Sequence, residues 1–198
     1  MLPIYLTDKN LDFEDLLKLK PQRIEHDWFG ATAETLPTFV LARDPLCLWF
    51  YAAYAAKPLC ETGYKCGAFV EGLWKQDVAE LFVCHDTSPA YQEFNLSPSG
   101  AWWSSKFESY RKPSGLAAEK APQINCFSLI DNDSWQAAMA IPLALFAGFT
   151  SLCENSRVNV AFITDTPKQR FWSWAKIQAR RPDFHCAEQF EALQLIRE

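Results

Sequence analysis

One glutamate stands where the surrounding pattern calls for apolar side chains, and a second lies on the polar face of a neighbouring hairpin. Glu80 interrupts the run DVAELFVC (77–84), and Glu93 sits in YQEFNLS (91–97), the first arm of a hairpin-like stretch that ends at Arg111. A carboxylate inside an apolar strand loses its hydration and must find a partner. Arg111 and Arg157 are the candidate internal partners of Glu80; a ligand is the other. Two carboxyl groups about 5–10 Å apart across a glycosidic bond would be hydrolytic machinery. The sequence supplies no sign of a deep cleft around the pair, so they are read as acceptors for hydroxyl protons, and no enzyme is expected.

Indoles offer the complementary chemistry, a flat apolar face that can stack on the C–H side of a ring. Trp74 shares the parity of Glu80, but six extended residues span roughly 20 Å. A shared site therefore needs a bend near Lys75–Gln76. Trp102 and Trp103 lie in the second arm of the hairpin, and Trp174 in RFWSWAK (170–176). His26, His85 and His185 form no HxxxH or HExxH spacing, and Met139 in QAAMAIP has the apolar company of a core residue, so neither metal nor cofactor is expected. No GxSxG elbow and no Gly-rich phosphate loop occurs.

The elements that must carry these residues read as short strands. They are LPTFVLAR (37–44), CLWFYAAYA (47–55), CGAFVEGLW (66–74), DVAELFVC (77–84), YQEFNLS (91–97), AWWSSKFESY (101–110), INCFSLID (124–131), SWQAAMAIP (134–142), RVNVAFIT (157–164), RFWSWAK (170–176) and LQLIR (193–197). Turn residues fill the gaps. DFEDLLKLKPQ and PLALFAGF (142–149) read as short helices, and 112–123 as a loop. The pattern implies an all-β fold, an antiparallel β-sandwich of jelly-roll type with one or two short helices.

Period-2 alternation sorts the hairpin. With SPSG as a four-residue turn, Leu96 opposes Ala101, Asn95 opposes Trp102 and Glu93 opposes Ser104. Tyr91, Glu93, Asn95, Trp102 and Lys106 then share a polar face, while Phe94, Trp103 and Phe107 face the core.

The chain has 198 residues, 22% of them charged and 15% aromatic, and a formal charge of −5. One domain is expected. The acidic balance and the lack of a basic stripe argue against nucleic acid, and the basic, aromatic run RFWSWAKIQARR (170–181) reads as a strand end entering a loop. LALFAGF is too short to span a bilayer, so no membrane association is expected. MLPIYLTDKN lacks the pattern of a secretory signal, and seven scattered cysteines without CxxC spacing suit a reducing compartment. A cytoplasmic location is the expectation.

LWKQDVAELFV, AYQEFNLSPSGAWWSSKFESYR, VNVAFIT, WSWA and PDFHCAEQFEALQL together resemble the DOMON-like, family-nine type of carbohydrate-binding module, over blocks from about residue 70 to the end. The resemblance implies a β-sandwich that grips a sugar end between two aromatic side chains, with a glutamate and an arginine on its hydroxyls. On this likeness Trp74 matches the first aromatic and Glu80 the glutamate, and the family's own bend joins them. The second aromatic falls on Phe184, the arginine position on Glu93, a reversal of charge, and a helping amide close to Arg181. The implied function is non-catalytic binding of a carbohydrate or related polyol. Trp74 would stack on the ring against Phe184 or Trp174, and Glu80, Glu93, Asn95 and Arg181 would supply polar contacts beside Trp102. The alternatives are an interaction or scaffold domain that has lost sugar binding, and a haem-binding DOMON domain.

Overall fold

The computed structural model describes residues 1–60, 63–85, 88–114, 124–146, 152 and 155–197. Its strands in chain order are β1 (Leu2–Leu6), β2 (Gln22–Arg23), β3 (Thr38–Arg43), β4 (Cys47–Tyr54), β5 (Val78–His85), β6 (Tyr91–Leu96), β7 (Trp102–Ser109), β8 (Lys112–Pro113), β9 (Asn125–Ile130), β10 (Trp135–Pro142), β11 (Ser156–Thr164), β12 (Arg170–Ser173) and β13 (Glu191–Arg197). A single turn of helix, α1 (Phe13–Leu16), precedes β2. It starts at Asp12, whose side chain accepts from the Asp15 N–H while the Asp15 carboxylate accepts from the Asp12 N–H. Among the described residues no helix is long and apolar enough to cross a membrane.

The strands form one curled, mixed sheet in the order β8-β7-β6-β5-β11-β13-β1-β3-β4-β10-β9, with β12 beside β11 and β2 beside β3. Strand β13 joins the halves: it runs parallel to β1 from Leu2–Leu193 to Leu6–Arg197 and touches β11 only at Val158–Glu191 and Arg157–Ala192. The curl brings the halves face to face. Phe39, Leu41, Phe50 and Met139 from one share a core with Leu81, Phe94, Val160 and Phe162 from the other.

The half that contains β5 and β6 is buried on its outer face as well. There Val78, Phe82, Cys84, Tyr91, Phe107 and Ile163 pack under Phe184, Ala187 and Phe190 of the segment that leads into β13. Strand β6 is buried at all six positions and β5 at all but His85. Two-sided burial explains their nearly continuous apolar runs.

The all-β reading and most strand positions agree with this architecture. The sheet is not wholly antiparallel, because β1 pairs in parallel with both β13 and β3. CGAFVEGLW does not form a strand. Gly67 and Gly72 take φ of 82° and 88°, and the stretch makes only a bridge from Phe69 to Trp102 before a 3₁₀ turn at Leu73–Lys75. The second expected helix is a 3₁₀ turn, Leu143–Phe146; residues 147–149 lie outside the described part. Of the expected loop, Lys112–Pro113 forms β8, and 115–123 lie outside it too.

Candidate functional site

Cross-strand register sets the floor of the site. On the outer face of the β5–β6 half, Ser173, Ala161, Glu80, Asn95 and Trp103 form one row across β12, β11, β5, β6 and β7. Asn159, Phe82, Glu93 and Ser105 form the next row. Glu80 and Glu93 are thus diagonal neighbours on adjacent strands, with about 7–8 Å between such positions. Both line a hollow of about 430 Å³, together with Trp74, Trp103, Phe107, Phe171 and Phe184. That volume falls in the range, about 300–1,000 Å³, of small-molecule sites.

The 3₁₀ turn at Leu73–Lys75 is the bend that brings Trp74 to Glu80. Gln169 Nε2 donates to the Trp74 carbonyl at 3.3 Å, which ties this turn to the start of β12. Behind it, the buried Asp77 carboxylate accepts from Leu59 N, Thr166 N and the Thr166 hydroxyl at 3.0, 3.1 and 2.8 Å. Trp74 meets Trp103 edge to face at 5.1 Å, and Phe171 and Phe184 stand 6.4 Å apart in the same lining.

The carboxylates of the floor are almost fully covered, at 4% exposure each. No hydrogen bond reaches Glu80 among the described residues. Burial drives its carboxyl well above the ordinary range; the Glu93 charge adds to this, and the Arg111 guanidinium opposes it. Burial also pushes Glu93 up to about 7, against the pull of Asn95 and Arg111. With both groups raised, the floor tends to retain a proton near neutral pH. Asn95, opposite Glu80, is fully buried, and neither its amide oxygen nor its nitrogen has a hydrogen-bond partner of good geometry.

A polar wall closes one side. Arg111, after β7, pairs with Asp183 at 3.0 Å, and Tyr110 donates to the same carboxylate. Burial alone would raise the Asp183 pKa, but these donors and the His185 N–H bring it below the usual carboxylate range. The Arg111 N–H donates to the Tyr91 hydroxyl at 3.2 Å, and that hydroxyl lies 2.7 Å from His185 Nδ1. Burial first, then the Arg111 charge, lowers His185 to about 4, so the ring is neutral near pH 7. Nε2 of the ring lies 3.9 Å from Glu93.

Trp74, Glu80, Glu93 and Phe184 are therefore brought together; Asn95, opposite Glu80, is buried beneath them and outside the lining. Three expected residues are elsewhere. Trp102 is 3% exposed and packs in the core between the two halves. The hairpin loop has three residues, Pro98–Gly100, not four, with Gly100 at φ 78° and Ser97 N donating to Ala101 O. Leu96 hence opposes Trp102 and Asn95 opposes Trp103, and one residue of slip exchanges the faces. Phe107 likewise joins the outer face with Tyr91. Trp174 has the parity of the core residue Trp172; it packs edge-on against Phe39 at 5.4 Å and lines a different hollow. Arg181 is exposed and outside the lining, and Arg111 supplies the guanidinium instead.

Gln169, Phe171, Asp183 and His185 complete the lining, and sequence reasoning gave them no part. Only the tight PDFH spacing around Phe184 hinted at the last two. The second hollow is larger, about 640 Å³, but Arg23, Glu25 and His26 on its rim are exposed, and its other two acids are paired, Glu191 with the N-terminal amine and Asp27 with Arg170.

No sequence profile of a known family matches the chain, and no curated protein matches it in sequence. Solved structures do. A protein from Bacteroides uniformis, provisionally described as carbohydrate-binding, superposes with a TM-score of 0.74 at 17% identity, over 98% of both chains. A family 9 carbohydrate-binding module from Caldicellulosiruptor kristjanssonii in complex with cellotriose gives 0.65 at 11% identity, over 100% of this chain and 94% of that one. The same organism's family 9 module with glucose gives 0.61 at 12%, over 99% and 96%. At these identities the likeness is one of fold, and it extends over the whole chain.

Proposed function

We propose that the chain is a non-catalytic, DOMON-like carbohydrate-binding module of sandwich type, forming one domain. The observation that carries this reading is the hollow itself: an aromatic rim over two buried carboxylates, of which Glu80 has no hydrogen-bond donor among the described residues. A pyranose ring entering it would stack on Trp74 and against Phe184. Its hydroxyls would donate to Glu80 and Glu93 and accept from Arg111. The fold likeness to modules in complex with cellotriose and glucose supports the assignment. Binding rather than hydrolysis is supported by the layout of the acids. Glu80 and Glu93 rise from one floor and approach a ligand from the same side, whereas hydrolysis needs carboxyl groups that flank the scissile bond. Free thiols at the described cysteines favour a reducing, cytoplasmic setting.

Calorimetric and thermal-shift titration with glucose, cellotriose, other sugars and sugar phosphates tests the assignment. Saturable binding is expected at about −4 to −8 kcal/mol, the millimolar to micromolar range. Trp74→Ala should abolish it while leaving the unfolding midpoint unchanged. Binding that survives in Trp74→Ala would remove this hollow from consideration.

A further inference from the structure

The charges in the hollow do not balance. Glu80 on β5, Glu93 on β6 and Asp183 in the loop before β13 face one permanent cation, Arg111, and that cation is already bonded to Asp183 at 3.0 Å. His185, at about 4, is neutral near pH 7 and adds no charge. Two carboxylates, each about 96% covered, therefore have no counter-charge within bonding distance among the described residues. The walls above them are aromatic side chains, and the faces of such rings carry negative potential that attracts cations.

We infer that this site selects an amino sugar, a ligand whose ammonium group seats between Glu80 and Glu93 while its ring stacks on Trp74. The inference rests on the carbohydrate reading of the hollow and adds the charge of the ligand. An empty floor holds its two acids apart from full ionisation by retaining a proton, which a neutral sugar leaves in place. An ammonium group supplies the missing positive charge directly. The retained proton then departs to solvent, and each carboxylate gains a charge-assisted hydrogen bond from an N–H of the ligand.

The test is calorimetric titration at pH 7 of the full chain with glucosamine, galactosamine and mannosamine, each beside its parent hexose and its N-acetyl derivative. At least one amino sugar should bind about tenfold or more tighter than both neutral forms, the effect of a desolvated cation among aromatic and acidic groups. Its heat should depend on the buffer's ionisation enthalpy in the sense of proton release. Glu80→Gln and Glu93→Gln, which keep the side-chain shape, should each bring the preference toward unity. Hexoses that bind as tightly as their amino counterparts, or no proton release, would overturn the inference and leave the carbohydrate reading standing. No saturable heat with any of these sugars or with cellotriose would overturn both.

Discussion

Replacing Glu93 by glutamine isolates the cost of ionising the floor. Glu93 titrates at about 7 in the folded chain against 4.5 for the free side chain. The folded state therefore holds its proton more firmly than the unfolded state, and the stability this represents is present below pH 4.5 and lost as pH rises through 7. The difference of some two and a half pH units corresponds to about 3 kcal/mol at about 1.4 kcal/mol per unit. Glutamine matches the protonated carboxyl in shape and never ionises. Urea unfolding at a series of pH values should find Glu93→Gln and the wild type of similar stability near pH 4.5. The variant should then gain progressively on the wild type, reaching about 3 kcal/mol by pH 8. Glu80 adds to that gain, because its pKa falls once the neighbouring charge is gone. For the same reason Glu80→Gln/Glu93→Gln should gain less than the sum of the single variants. A stability difference that stays flat from pH 4.5 to 8 would show that Glu93 is ionised freely in the folded chain, and the argument from burial would fail.

The paired tryptophans of β7 should separate by face. Trp102→Ala empties a core position that is 3% exposed and should cost about 3–5 kcal/mol of unfolding free energy. Trp103→Ala removes a partly exposed ring from the hollow and should weaken sugar binding with a much smaller effect on denaturant midpoint. In the other half, the Asp44 carboxylate accepts from Leu46 N and Cys47 N at 2.7 Å each, Leu11 N at 3.1 Å and Trp49 Nε1 at 2.8 Å. Asp44→Ala leaves these donors unmet and should cost about 2–4 kcal/mol. Burial works to raise the Asp44 pKa, but these donors more than offset it and hold it below the usual value. Its contribution is accordingly present above the ordinary carboxylate range and lost as acid protonates it. Thermal melts of Asp44→Ala and wild type should converge at low pH.

Legibility followed how local each signal was. Strands β3 to β7 and β9 to β11 stood out because their apolar runs and turn residues are contiguous. β1 did not, because LPIYL is short, contains a proline and gains its ladder only from β13 and β3, far away in sequence. Glu80 was visible as an acid in apolar company and Glu93 only as part of the hairpin's polar face; the burial of both follows from two covered faces, the inner core and the cover of Phe184, Ala187 and Phe190. Arg111 was visible only as a candidate partner of Glu80. Its pairing with Asp183 joins residues 72 positions apart, which no spacing rule connects.

The hairpin shows how little separates a right element from a wrong face. Both arms were placed correctly, and Glu93 and Asn95 fell on the correct side. The SPSG turn also had its glycine where a three-residue loop needs left-handed backbone. Counting the loop as four residues instead of three moved Trp102 into the site and Trp103 into the core. The structure reverses the two. The consequence is chemical: the indole beside Asn95 and against Trp74 is Trp103, so the β7 part of the aromatic rim lies on the same face as the acids of β5 and β6. This is the arrangement that lets a single ring touch both, and a four-residue loop would have taken it apart.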